Sequence, residues 1–340
     1  MTSVIATTRF SVLDRSRIRA GHDGPQALRD TVALAREAER LGYHRFWVSE
    51  HHSVPGVAGS APAVLAAAVA SATSTIRVGT GGVMLPNHQP LVVAEEFGVL
   101  ESLFPGRIDM GLGRSVGFTD GIRKALGRDK KDADDFGAQL TELLGYFDGT
   151  QTAHPQVHAR PAEGLAVPAF VLATGQGALV AAEAGLPLVI ANVRGEDAML
   201  RAIDAYREAF RPSAHAERPY VVVSGTVAVA DTTEAAHRIL VPEAWSTAYS
   251  RTRGEFPALS PAEDILARDM TDGERTLFAD ALRRQVYGTE EEVAEALEKL
   301  IEHSGADEFL VTTSTYDREA LLDSYRRLAR IADLAARRDA

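Results

Sequence analysis

The chain has 340 residues, of which 45% are hydrophobic and 24% charged, and a formal net charge of −11. An acidic total argues against nonspecific binding to nucleic acid or anionic membranes. The absence of cysteine excludes disulfides, thiolate catalysis and thiolate-ligated metals. The N-terminal MTSVIATTRFSVLD lacks the features of a secretory signal. The most hydrophobic stretch, APAVLAAAVASA, is shorter than the roughly 18 to 20 residues of a membrane span. These features predict a soluble, cytoplasmic protein.

Short apolar runs alternate with amphipathic segments along the chain. The first strand is expected at Phe10–Leu13. A helix follows from about Pro25 to Leu41, with Leu28, Val32, Ala35 and Leu41 on one stripe and Gly42 as its stop. Strand two is Arg45–Ser49, and a helix opens at Ala61, where Ser60 and Pro62 give a start signal. Strand three is Ile76–Thr80, with a helix at about Pro90–Phe104. Strand four is Arg107–Leu112; Phe136, Leu140, Leu143 and Phe147 mark the helix after it. Strand five is Ala169–Ala173, followed by a helix from Gln176 to Gly185. Strand six is Leu186–Ala191, with a helix over Glu196–Phe210, and strand seven is Tyr220–Val229, with a helix near Thr233–Tyr249. Thr289 and Glu292 form a capping box for a helix ending near Ser304. Strand eight is Glu308–Thr313, closed by a helix from Asp317.

Eight strands, each followed by a helix, imply parallel crossovers and an α/β fold. A doubly wound sheet would need a split into halves, and no linker or composition break supplies one. The count favours a closed (β/α)8 TIM barrel spanning residues 1–340 as one domain. Residues 251–288 break the alternation and are expected to insert after strand seven, either as a lid at the barrel mouth or as a variable surface loop.

Strand ends are where a barrel builds its site. His51 and His52 follow strand two, and adjacent strand residues point to opposite faces. One histidine can therefore enter the pocket as acid, base or donor, or both can be structural. A shared metal is not expected. Gly81 and Gly82 end strand three, as a bulge or tight exit or where a flat ligand approaches the backbone. Arg114 ends strand four, either as a solvated charge or facing an anion. The turn Ala173-Thr174-Gly175-Gln176-Gly177 feeds a helix and offers N–H groups to a phosphate, with Arg114 as countercharge. GLGRSVG at 111–117 lacks the third glycine spacing of a dinucleotide fingerprint. Trp245 and Tyr249 read as helix packing.

FWVSEHH, Pro62, VGTGGVMLP, Glu95-Glu96, FPGRIDMGLGR and GLP at 185–187 together resemble the bacterial luciferase-like monooxygenases, a flavin-dependent (β/α)8 family. VYGTEEEVAEAL and ADEFLVTTSTYD are similar to the same family, and FSVLDRSRI to a subgroup associated with antibiotic biosynthesis. The resemblance implies that Gly81-Gly82 forms a bulged, often cis, peptide beneath the flavin ring. It also implies that Arg114 pairs with the flavin phosphate and that Val116 lies near the ring. Ala173, Thr174, Gly175 and Gln176 would follow the flavin to its phosphate, and His51 would assist the oxygen chemistry. Gly113 departs from the luciferase catalytic subunit, which has cysteine there, and the strand-five turn is one residue shorter than in many relatives. Both departures argue against light emission.

The implied reaction uses reduced FMN and O2 to oxidise a small organic substrate through a C4a-peroxyflavin. The resemblance further implies a separate flavin reductase and a homodimer through the first helices. The alternatives are F420-dependent hydride transfer and a non-catalytic flavin-binding homologue.

Overall fold

In the computed structural model, the described residues are 4–175 and 177–335. Eight strands, β1 (Arg9–Asp14), β2 (Arg45–Val48), β3 (Arg77–Thr80), β4 (Ile108–Gly113), β5 (Ala169–Ala173), β6 (Leu188–Ala191), β7 (Val221–Gly225) and β8 (Glu308–Val311), pair in parallel. β8 joins β1 and β7. Pairing of Val78 with Ile108 and of Gly79 with Asp109 closes the ring. The fold is the (β/α)8 barrel that the alternation predicts, and the doubly wound alternative is excluded.

Local signals set the helix ends. In α1 (Gly24–Leu41) the Asp23 side chain accepts the Gln26 N–H, Pro25 sits in the first turn, and Gly42 takes φ 86° at the C-terminus. Pro62 opens α2 (Pro62–Ala72) and Pro90 opens α3 (Pro90–Leu103).

The strands divide their side chains by parity. Phe10, Val12, Phe46, Val48, Val78, Ile108, Met110 and Val171 face outward, into the large core under the helices. Leu13, Trp47, Phe170, Val189, Val222 and Leu310 form a separate cluster that plugs the barrel interior. One residue-pair below that plug lie charges. Arg45 on β2 bonds both oxygens of Glu308 on β8 at 3.0 Å and Asp109 on β4 at 2.8 Å. Arg77 takes the other Asp109 oxygen at 2.6 Å, and Trp47 Nε1 donates to Asp109 at 3.1 Å. Tyr220 donates to Glu308 at 2.8 Å, Ser11 is its further partner, and the Arg45 guanidinium lies 4.8 Å from the Phe170 ring centroid. Burial opposes the charge on Arg45, but Glu308 and Asp109 outweigh it and raise its pKa.

The departure from the barrel pattern begins with the helix after strand seven, earlier than residue 251. In Thr233–Arg253, Ala236, Ile239, Leu240 and Ala244 pack with Leu282, while Val241, Trp245 and Ala248 pack with Ile265 and Met270. These two clusters stand apart from the main core. The helices Ala262–Leu266 and Asp272–Arg283 complete the excursion, and Val286–Gly288 pairs with Val227–Val229. The helix that covers the barrel is Glu290–Ser304, through Val293, Leu297 and Ile301, and the Thr289–Glu292 capping box is formed. Among the described residues no helix is long and apolar enough to cross a membrane.

Removing one partner from a buried ion pair strands the others without compensation. Arg45→Met is expected to cost about 3–5 kcal/mol, read from urea unfolding. A loss below about 1 kcal/mol would show that the network does not hold the barrel.

Candidate active site at the barrel mouth

Above the plug, the C-terminal strand ends enclose a cavity of 340 Å³. Its walls are Ser49, Glu50, His51, Gly81, Gly82, Met84, Gly113, Arg114, Ser115, Leu172–Thr174, Val189–Ala191 and Ser224. Of the residues singled out from sequence, His51, Gly81, Gly82, Arg114, Ala173 and Thr174 come together here. Ala173 borders the cavity, but its side chain belongs to the outer core. Val116 and Gly175 are not among the lining residues, and Gln176 lies outside the described residues.

His51 continues the inward parity of Arg45 and Trp47. Its Nδ1 is 3.2 Å from Ser49 Oγ, and its backbone N–H donates to the Gly59 carbonyl at 2.8 Å. Burial, reinforced by the cations Arg15 and Arg17, pushes its pKa down to about 4. The ring is therefore neutral at pH 7, with one nitrogen donating and one accepting. Arg15 and Arg17 follow the end of β1 and share one buried carboxylate, Glu243, at 2.9 and 3.6 Å. Sequence reasoning passed over all three. Arg15 was findable from the inward register of Ser11 and Leu13; Arg17 was not, because Ser16 takes φ 52° and breaks the alternation. Nor was Glu243, because a distant helix delivers it.

His52 points the other way. Its Nε2 lies 2.6 Å from Glu50 Oε1, and His88 Nε2 lies 3.0 Å from both Glu50 oxygens. Glu50 also accepts the Met84 N–H at 2.8 Å, which ties the segment after Gly82 to β2. Burial acts to raise the Glu50 pKa, but bonds from His52, His88 and Met84 hold it at about 2. His52 and Glu50 are thus a brace for the cavity wall.

The peptide between Gly81 and Gly82 is cis, within the geometry the family resemblance implies. Packing beneath the cavity explains why both are glycine. A Cβ at Gly81 would lie 2.7 Å from Leu13 Cδ1, and one at Gly82 would lie 2.7 Å from the Gly111 carbonyl oxygen. Gly113 differs: a Cβ there would meet only the Val83 oxygen, at 3.9 Å. Its missing side chain leaves open room in the cavity, so Gly113 is the glycine that widens it.

Arg114 is half exposed at the rim, and its contact is a 3.7 Å approach to the exposed Asp134. Such a loose surface pair contributes little, so the guanidinium is available to a ligand. Gly175 turns with φ 74°, and a Cβ there would approach Arg194 Nη1 at 3.5 Å, which puts a second cation beside the strand-five turn. The helix after that turn, Gly177–Glu183, has seven residues. Among the described residues no cluster of His, Asp and Glu has a metal-holding arrangement.

Residues 8–308 match the sequence model of the family described as luciferase-like monooxygenase. A luciferase-like monooxygenase of Escherichia coli (strain K12) is 36% identical, covering 94% of this chain and 95% of its own. The N-acetyl-S-alkylcysteine monooxygenase of Bacillus subtilis is 33% identical over 97% and 99%. The crystal structure of apo-MsnO8 superimposes with a TM-score of 0.87 at 32% identity, covering 97% of this chain and 99% of that one. Two more distant structures share the fold. One is the oxygenating constituent of 3,6-diketocamphane monooxygenase from a Pseudomonas putida plasmid, in complex with FMN, with a TM-score of 0.72 at 20% identity over 96% and 98%. The other is an F420-dependent secondary alcohol dehydrogenase, with a TM-score of 0.70 at 16% identity over 96% and 99%.

The pKa shifts define an acid response. His51, and His44 under burial and the Arg45 charge, are both held down to about 4 from 6.5. Their contribution to stability is complete above pH 6.5 and is lost as pH falls through 4. Glu50, held at about 2 from 4.5, loses its contribution between those values. Urea midpoints are expected to drop in two stages, with each histidine worth on the order of 3 kcal/mol at full protonation. His51→Gln should shrink only the first stage; an unchanged profile would mean that the folded chain does not hold His51 neutral.

Proposed function

The chain belongs to the luciferase-like monooxygenase family, and from that premise we propose that it takes reduced FMN into the 340 Å³ cavity and, with O2, oxidises a small organic substrate. One observation carries this reading: a neutral half-buried histidine, an open glycine position and an uncommitted arginine share the same barrel mouth. The cavity fits a flavin in chemical type. Gly113 leaves space for a flat ring, and Arg114 offers a paired donor set to a phosphate at the rim.

Bound reduced flavin supplies the two electrons that activate O2. The chain's own residues do the rest. Arg114 and Thr174 hold the phosphate, with Arg194 beside them. His51, neutral and steadied by Ser49, exchanges a proton with the reacting centre. Leu172 and Val189 keep the cavity floor apolar, which limits water at that centre. The helical excursion after β7 closes the mouth as a lid, and a separate reductase delivers the reduced flavin.

A second copy of the chain is proposed to cover α2 and α3, which expose Val64 (70%), Leu103 (64%), Val99 and Val92. Light scattering is expected to give a dimer. Val64→Glu with Leu103→Glu should give a folded monomer; a monomeric parent chain would end the proposal.

Anaerobic titration with reduced FMN tests the cofactor. Arg114→Gln is expected to weaken binding by about 10- to 100-fold, the range of a lost charge-assisted bond. On admission of oxygen, His51→Gln should still bind FMN but release more H2O2 per turnover. Failure of reduced FMN to bind, or tight binding of F420 in its place, would overturn the assignment.

A further inference from the structure

The mouth contains a second cavity, of 280 Å³, between the ends of β6, β7 and β8 and the helical excursion. It adjoins the first along two strands: Ala191 and Ser224 line one cavity, and Asn192 and Thr226 line the other. Its charges do not balance. Arg15 and Arg17 share the single carboxylate of Glu243. Asp280 is paired with Arg283 at 2.8 Å. Arg284 donates to the Val193 carbonyl at 2.5 Å and forms no ion pair among the described residues, and the Arg251 side chain has neither a hydrogen bond nor an ion pair among them. Two guanidinium charges are thus left over at one cavity in a chain whose net charge is −11.

Two further observations point to a ligand. Arg15 Nε, a donor that an oxyanion can satisfy, is buried without a hydrogen-bond partner and lines this cavity; the acceptors Asn192 Oδ1 and Glu243 Oε2, also without one, line it too and call for a donor instead. Unpartnered buried polar atoms are costly and call for a partner the protein does not itself supply. Leu277 and Ala281 give the same cavity an apolar wall.

We infer that this second cavity is the substrate pocket and that it selects an organic molecule with an oxyanion headgroup, a carboxylate or a sulfonate, gripped by Arg251 and Arg284. Its role as substrate pocket rests on the flavin occupying the first cavity; its selectivity for an oxyanion does not. Both arginines sit on the excursion, Arg251 near the end of Thr233–Arg253 and Arg284 just after Asp272–Arg283. The headgroup would therefore be held by the lid, while the apolar body extends along Leu277 and Ala281 toward the first cavity. A planar guanidinium binds carboxylate and sulfonate oxygens in pairs, and a neutral ester offers no charge in return.

Calorimetric titrations of octanoate, octane-1-sulfonate, methyl octanoate and inorganic phosphate into the flavin-free full chain test the inference. Octanoate or the sulfonate is expected to bind at least about tenfold tighter than the ester, and the tighter of the two identifies the headgroup. Arg251→Gln with Arg284→Gln should abolish that preference while leaving circular dichroism and FMN affinity unchanged; both side chains are exposed, so the fold does not depend on them. Equal binding of acid and ester, a preference that survives the double substitution, or phosphate binding as tightly as octanoate would overturn it. If FMN fails to bind while the acid preference persists, the flavin reading falls and the oxyanion pocket stands. If FMN binds and the preference is absent, only the pocket falls.

Discussion

The fold depends on one buried guanidinium. Arg45 lies between Glu308 and Asp109 at the closed end of the barrel, and its partners draw in Arg77, Tyr220, Ser11 and Trp47. Side chains from or beside β1, β2, β3, β4, β7 and β8 thereby meet at one point. Taking such charges out of water is expensive unless each has partners. A one-residue slip of any strand would turn its member outward and leave the others uncompensated. The network thus penalises wrong register more strongly than the plug above it, where one aliphatic side chain can substitute for another.

From that floor the inward positions change character in steps. Charges give way to Leu13, Trp47 and Phe170, and these to Ser49, His51, Gly113 and Thr174 at the mouth. Because Arg45, Trp47, Ser49 and His51 share one parity, the register enforced by Arg45 also aims His51. The same rule sends His52 to the opposite side, where it braces Glu50 and the segment after Gly82. The site is the upper end of the same alternation that builds the core.

Much of this was legible in the sequence. Strand-like runs, proline-opened helices and glycine stops are local events, and the predicted elements fall close to the observed ones. His51, Gly81, Gly82, Arg114 and Thr174 were legible as strand-end residues of special type. The glycines illustrate the limit. Sequence marks Gly81-Gly82 as exceptional without telling whether a ligand above or packing below requires it. The contacts with Leu13 and with the Gly111 carbonyl identify packing, and the open position proves to be Gly113, which had registered only as a departure from relatives.

Sequence by itself determined the element types, the (β/α)8 order and the rule that His51 and His52 face opposite sides, because these follow from neighbours along the chain. Only the tertiary structure decided which charges meet. Glu243 reaches Arg15 and Arg17 from more than two hundred residues away, Glu308 reaches Arg45, and Arg251 and Arg284 are left facing a shared cavity. Electrostatic partnership depends on distance in space and on local burial. Those two quantities exist only once the barrel has closed and the excursion has folded over its mouth.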